Sequence, residues 1–370
     1  MENRNREYKN ILIIKMSSLG DVLHTLPAVA ALRKGFPNAR LTWLVHPQFS
    51  GFVPDPPVID EVIYFDKVKF QKMSLGEKWS CFKEMRDLLH SRKFDLVIDM
   101  HGLFKSAVLA AISGCDNRIG FCEMWEGSGL ISRPIRGEHA KGHAIEQYLD
   151  VARYLGCPAD EISFPLPDLS REWQSLQQKT DAVHKPYVVL APGARWDTKI
   201  WPAEHFAKLA DMILRDGKQV VLAGGAESIP TGAQIAGLVP GVTDLTGKTV
   251  QRELGALIQH CTFYISADTG PLVIPSAMKK PLIALYGPTR PDKTGPYGNE
   301  NAVIVKAPVP CAGCLKRHCG QWICMQSITP EMVFEEYKKK VQHKSCDDSV
   351  PDNRGNIQEQ KVPDEDKVIY

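Results

Sequence analysis

ILIIKMSSLGDVLHTLPAVAAL, residues 11–32, is the stretch that decides how this chain folds. Ile11–Ile14 is an unbroken apolar run of the kind found in a strand buried on both faces. A short polar turn follows (Ser17, Ser18, Gly20, Asp21), then a helical pattern with apolar Val22, Leu23, Leu26, Ala30 and Leu32. A strand that passes through a loop into a helix opens an α/β crossover unit. In open α/β sheets, ligands bind beyond the carboxyl ends of the strands. The loop carries one carboxylate, Asp21, among small residues that let a substrate approach. Asp21 is therefore the candidate catalytic base.

The same alternation continues outward from this unit. Arg40–Val45, Glu61–Phe65 and Phe94–Asp99 read as strands, with an apolar helix from Ser106 and another helix over Ala144–Leu155. Phe164–Pro186 is richer in proline and polar residues. A second series then starts, with strands at Tyr187–Ala191, Gln219–Ala223, Phe263–Ser266 and Leu282–Tyr286 and helices at Phe206–Arg215 and Leu254–Gln259. Two such series predict an α/β protein with two Rossmann-like, doubly wound domains facing a central cleft. The expected division is 1–170, a linker at 171–186, a second domain at 187–344, and a charged tail at 345–370 too poor in apolar groups to fold.

With 370 residues and 44% hydrophobic composition, each domain can bury a sizeable core. A net charge of +2 is far from the concentrated basic footprint of a nucleic-acid binder. The polar opening MENRNREYKN has no signal-peptide core, and no apolar run is long enough to span a bilayer. A cytoplasmic protein is expected. Lys67–Trp79 (KVKFQKMSLGEKW) is basic and aromatic, suited to anionic headgroups or to an ordinary surface loop. Of ten cysteines, Cys311, Cys314, Cys319 and Cys324 form a C-x2-C-x4-C-x4-C cluster. Close thiolates suit a soft metal, but structural zinc sites usually pair two separated knuckles and only one is present, so reduced thiols or an oxidisable pair fit better.

Several residues at predicted strand ends could carry chemistry. Gly193, after Tyr187–Ala191, allows close approach, and Lys199 farther along the same loop offers a point charge for a phosphate. Glu227 follows QVVLAGGA, where a carboxylate can accept hydrogen bonds from ribose hydroxyls. Asp268, Thr269 and Gly270 end FYISA just before a predicted helix, where Asp or Thr can cap and free N–H groups can hold an anion. On the N-terminal side, Ser18, Gly20, His101 and Lys105 are placed to touch an acceptor, as are Asp99, at the end of the same strand as His101, and His143, which opens a helix. Together the strand ends of the second half point to a nucleotide or diphosphate.

These segments resemble the heptosyltransferase family, glycosyltransferase family nine, over nearly the whole chain before the tail. The resemblance rests on KMSSLGDVLHTLPAVAAL, DLVIDMHGLFKSA, PGARWDTKIWPAEHFAKLA, AGGAE, SADTGP, ALYGPTRPDKTGPYG and CAGCLKRHCGQWICMQSITPEMV. It implies a GT-B fold and a metal-independent, inverting transfer of heptose from an ADP-heptose donor. The implied acceptor is Kdo or heptose of the lipid A-core, reached at the cytoplasmic face of the inner membrane. It assigns Asp21 as general base, Lys199 to the donor phosphates, Glu227 to the ribose, and Asp268, Thr269 and Gly270 to the sugar-diphosphate. Two positions depart from the family pattern D-T-G-x-x-H-x-A-A-A-L: Val273 stands where His is expected, and Pro275 replaces a small helix former. They motivate a second reading, a non-catalytic relative that binds nucleotide sugar or glycolipid. A third is an epimerase or hydrolase acting on a nucleotide sugar.

Overall fold

The computed structural model describes residues 7–347, with side chains through 342; most of the expected tail lies outside the described residues. Two six-stranded parallel sheets organise the chain. The first has the order β3-β2-β1-β4-β5-β6, with β1 Asn10–Ile14, β2 Arg40–Val45, β3 Glu61–Tyr64, β4 Leu96–Asp99, β5 Arg118–Gly120 and β6 Arg133–Pro134. The second has the order β12-β11-β10-β7-β8-β9, with β7 Tyr187–Ala191, β8 Gln219–Leu222, β9 Thr243–Asp244, β10 Phe263–Ala267, β11 Leu282–Tyr286 and β12 Ala302–Lys306. Counted within each half, both orders are 3-2-1-4-5-6, the Rossmann arrangement. The central strands read as continuous apolar runs because helices cover both faces: Ile11–Ile14, Tyr187–Ala191 and Leu282–Tyr286 are all buried.

The helices that matter for the cleft are α1 Leu19–Gly35, α2 Lys67–Lys72, α3 Leu75–Ser91, α4 Phe104–Ile112, α5 Ala144–Tyr154, α6 Ser170–Lys179, α7 Ala203–Arg215, α8 Ile229–Leu238, α9 Gln251–His260 and the short α10 Val273–Ala277. The segment 171–186, expected as linker, is largely helical. Its polar residues cover the outside of α6, while Leu176 is buried and Trp173 stacks on His260 of α9 at 3.8 Å between ring centroids. Lys179 and Ser175 both bond to Glu253 on α9, so α6 packs against the second sheet's helical layer. Lys67–Trp79 is likewise helical, spanning α2 and the start of α3.

The two halves touch. A Cβ on Gly20 would lie 3.2 Å from the Gly270 Cα, and Phe52 of the first half packs against Gly255 of α9. Gln251 receives the Gly51 N–H at 3.2 Å and donates to the Gln48 carbonyl at 2.6 Å. His143 at the start of α5 bonds the Gly295 carbonyl at 3.1 Å, and its ring lies 4.6 Å from that of Tyr297. The Tyr297 hydroxyl in turn donates to Glu146.

Candidate active site

The parallel topology places one switch point in each sheet, between β1 and β4 and between β7 and β10. Asp21 follows β1, and the loop His101–Lys105 follows β4. Lys199 follows β7, and Asp268 follows β10. Four loops therefore converge from two sheets, and the contact between Gly20 and Gly270 joins the two pairs.

Asp21 sits in the first turn of α1 rather than in the preceding loop, because Leu19 and Gly20 already have helical geometry. Its Oδ2 accepts from the Ser18 N–H at 2.9 Å and from the Ser18 hydroxyl at 2.7 Å. Among the described residues nothing bonds Oδ1. Ser18, expected to touch an acceptor, donates its hydroxyl to this carboxylate. Burial pushes the Asp21 carboxyl up, but the Lys15 charge and the two Ser18 bonds outweigh it, holding the group below the ordinary carboxylate value. The helix N-terminus favours the same charged form.

Lys15 is the buried partner that sequence reasoning missed. Its ammonium donates to the Met100 carbonyl at 2.8 Å and to the Tyr148 hydroxyl, and lies 4.6 Å from the Tyr148 ring centroid. Burial lowers its pKa, while Asp21, Asp99 and Glu123 pull it back up. Asp99 turns the loop after β4, accepting from the N–H groups of His101 and Gly102 at 2.9 Å and the Ser106 hydroxyl at 2.8 Å. That leaves both ring nitrogens of His101 without a partner among the described residues, and burial with nearby Lys15 and Lys105 drives its pKa to about 3. Lys105 is partly buried, its pKa lowered by that burial and by Lys67.

His24, one helical turn beyond Asp21, was also missed. It is 4% exposed, neither ring nitrogen has a partner among the described residues, and burial followed by the neighbouring His143 lowers its pKa to about 4. Its ring meets that of His143 edge-on at 5.5 Å. The one signal in the sequence is spacing: residues three apart on a helix share a face.

In the second half, Lys199 and Asp268 form an ion pair at 2.7 Å, both largely buried. This corrects the expected capping role of Asp268, and Thr269 makes no cap bond either. After Gly270 comes a 3-10 turn over Gly270–Leu272 and then only five residues of α10. Pro275 lies in the first turn of α10, where an N–H would have no partner within that helix, so it breaks no hydrogen bond there. Gly193 does permit a close approach, but of Ser228: a Cβ there would sit 2.0 Å from the Ser228 Oγ. Glu227 lies exposed in a 3-10 turn after β8 without an ion pair or hydrogen bond among the described residues.

Cys311, Cys314 and Cys319 are exposed and Cys324 is buried, all four as free thiols. Among the described residues no group of three or more His, Cys, Asp or Glu is placed to hold a metal ion. No described helix is long and apolar enough to cross a membrane.

Two Rossmann halves meeting at their switch points define the GT-B class of transferase folds. The model of glycosyltransferase family 9 (heptosyltransferase) matches residues 83–322, and the chain belongs to that family. It is 30% identical to lipopolysaccharide heptosyltransferase 1 of Pseudomonas aeruginosa over 326 residues, 84% of this chain and 87% of the relative. It is 28% identical to lipopolysaccharide heptosyltransferase 3 of Escherichia coli over 288 residues, 73% and 81% of the two chains. Among solved structures, a family 9 glycosyl transferase of Veillonella parvula superposes with a TM-score of 0.78 at 22% identity, covering 92% of this chain and 99% of the other. The E. coli heptosyltransferase WaaC with ADP superposes with a TM-score of 0.71 at 24% identity, covering 90% and 99%.

Proposed function

We propose that this chain is an inverting glycosyltransferase that moves a heptose from ADP-heptose to the Kdo or heptose inner core of lipid A. The observation that carries the reading is the placement of a preset carboxylate, Asp21, across the cleft from the Lys199–Asp268 pair. The sugar donor would lie in the second half, with Lys199 at its diphosphate and Glu227 near its ribose. The acceptor would enter past His101 and Lys105. Relatives named as lipopolysaccharide heptosyltransferases, and WaaC with ADP, support the classes of donor and acceptor.

In the reaction, Asp21 Oδ1 takes the proton of the acceptor hydroxyl as that oxygen attacks the anomeric carbon. The bond from that carbon to the β-phosphate oxygen breaks, and ADP leaves with the electron pair. Attack from the face opposite the diphosphate inverts the anomeric centre. Proton removal by a positioned base contributes about 10²–10⁴ in rate, and cations at the departing diphosphate stabilise its growing charge. Turnover with ADP-heptose and a lipid A-core acceptor, with Asp21→Ala as control, tests this. Absence of product from the intact protein would overturn it, and ADP release without acceptor would favour the hydrolase alternative.

The acceptor is a lipid, so the chain should work at an anionic membrane surface on the cytoplasmic side. Leu75 is 86% and Trp79 72% exposed on α3, beside Lys67, Lys69, Lys72 and Lys78. Apolar side chains among lysines suit anionic headgroups.

A further inference from the structure

A nucleotide diphosphate carries more negative charge than the expected contacts here can balance. Lys199 already shares its charge with Asp268 at 2.7 Å. Val273 stands where the family pattern has a His. Pro271 and Pro275 have no N–H to offer at the turn after Gly270.

Beside the ion pair lies a cavity of about 290 Å³, lined by Arg195, Trp196, Asp197, Arg317 and His318. The Trp196 ring carries two cations: the Lys199 ammonium at 4.5 Å and the Arg317 guanidinium at 4.8 Å from its centroid. Neither Arg195 nor Arg317 makes an ion pair or a side-chain hydrogen bond among the described residues, so their charge is free for a ligand.

Arg317 comes from the Cys-rich loop, which is tied down on two sides. The Thr198 hydroxyl donates to the Lys316 carbonyl at 2.9 Å, and the Trp322 indole donates to the Thr198 carbonyl at 3.2 Å. At the end of β11, the N–H groups of Gly313 and Leu315 donate to the carbonyls of Gly287 and Pro288 at 2.9 and 2.7 Å. The loop therefore delivers Arg317 to the Lys199 loop from a fixed backbone.

We propose that Arg317, assisted by Arg195, binds the diphosphate of the nucleotide-sugar donor and supplies charge that Lys199, shared with Asp268, does not supply alone. The inference rests on the nucleotide-sugar reading above. A guanidinium presents a planar fork that matches phosphate oxygens, and stacking on Trp196 orders it before the ligand arrives. The Cys-rich loop then has a function independent of any metal or disulfide: it carries a donor-binding residue into the cleft.

Titration of the full-length protein with ADP and with adenosine tests this, using wild type, Arg317→Ala and Arg317→Lys. Arg317→Ala should weaken ADP by about tenfold or more, leave adenosine within about twofold, and raise the donor KM more than it lowers kcat. Arg317→Lys, which keeps charge but not the fork, should fall between. Unchanged ADP affinity in Arg317→Ala overturns the inference. So does a rise confined to the acceptor KM, which would give the anion to the acceptor, or an equal loss of adenosine, which would make Arg317 structural. If wild type itself fails to bind ADP, the nucleotide-sugar reading falls and takes this inference with it.

Discussion

Gly20 and Gly270 meet backbone to backbone across the cleft, with a Cβ on either one falling 3.2 Å from the other's main chain. Gly20 is one residue from Asp21, and Gly270 is two from Asp268. The width of the reacting gap is thus set where neither half has a side chain. Gly20→Ala or Gly270→Ala should hold the halves apart by a few tenths of an ångström. The expected result is about a tenfold or greater loss of kcat with little change in thermal midpoint, because misplacing reacting groups costs rate steeply.

Asp21→Asn should lower kcat by about 10²–10⁴ while ADP affinity stays near wild type, since the carboxylate acts on the acceptor. Ser18→Ala removes one of the two Ser18 partners that hold the carboxyl low, the hydroxyl, and leaves the backbone N–H. The acidic limb of kcat/KM should therefore move to higher pH in Ser18→Ala. A pH–rate profile of the two proteins measures the shift.

Lys199→Ala leaves Asp268 as an unpaired anion beside the donor phosphates. ADP binding should therefore weaken more in Lys199→Ala than in the double variant Lys199→Ala/Asp268→Asn, which removes the repulsion as well. Calorimetric titration of both compares them directly, and the non-additivity measures the coupling. Equal losses in the two variants would separate Asp268 from the phosphate site.

His24 is held neutral by burial, its pKa about 4 against an ordinary 6.5. In that interval the unfolded chain binds the proton and the folded chain does not. Stability is therefore complete above pH 6.5 and declines as pH falls toward 4. Between pH 7 and pH 5 this one group should cost about 2 kcal/mol. Denaturant unfolding at the two pH values, repeated on His24→Asn, should show part of the loss removed by the substitution.

Anionic vesicles should pull down the wild type at low salt and release it at high salt, while zwitterionic vesicles should not bind. Leu75→Ser/Trp79→Ser should abolish the association without changing turnover on a soluble, delipidated acceptor. Co-sedimentation that ignored lipid charge and salt would remove the membrane role from α2 and α3.

Much of the scaffold was legible because the interior strands are short unbroken apolar runs bounded by turn residues, too short for a helix. Tyr187–Ala191 and Leu282–Tyr286 match the structure to the residue. The edge strand Ala302–Lys306 escaped because its flank is half exposed and its run is short. Helix α6 hid behind polar residues, since only Leu176 among them is fully buried. Candidate residues on strand ends, such as Asp21, Lys199 and Asp268, could be found by position alone. Lys15 and His24 could not, because their importance comes from burial against partners distant in the chain: Met100 and Tyr148 for Lys15, His143 for His24. At Gly193 the sequence could show that a close approach is permitted, but not that Ser228 is the group that makes one.

The repeated strand order has a consequence for how the chain can change. The loops that face the cleft hang from strands whose side chains are largely buried. Sugar preference and acceptor preference therefore reside in short, separable stretches. Swapping the His101–Lys105 loop for that of a relative with another acceptor should redirect the product while the donor half keeps its affinity, making the protein a chassis whose two selectivities can be exchanged one at a time.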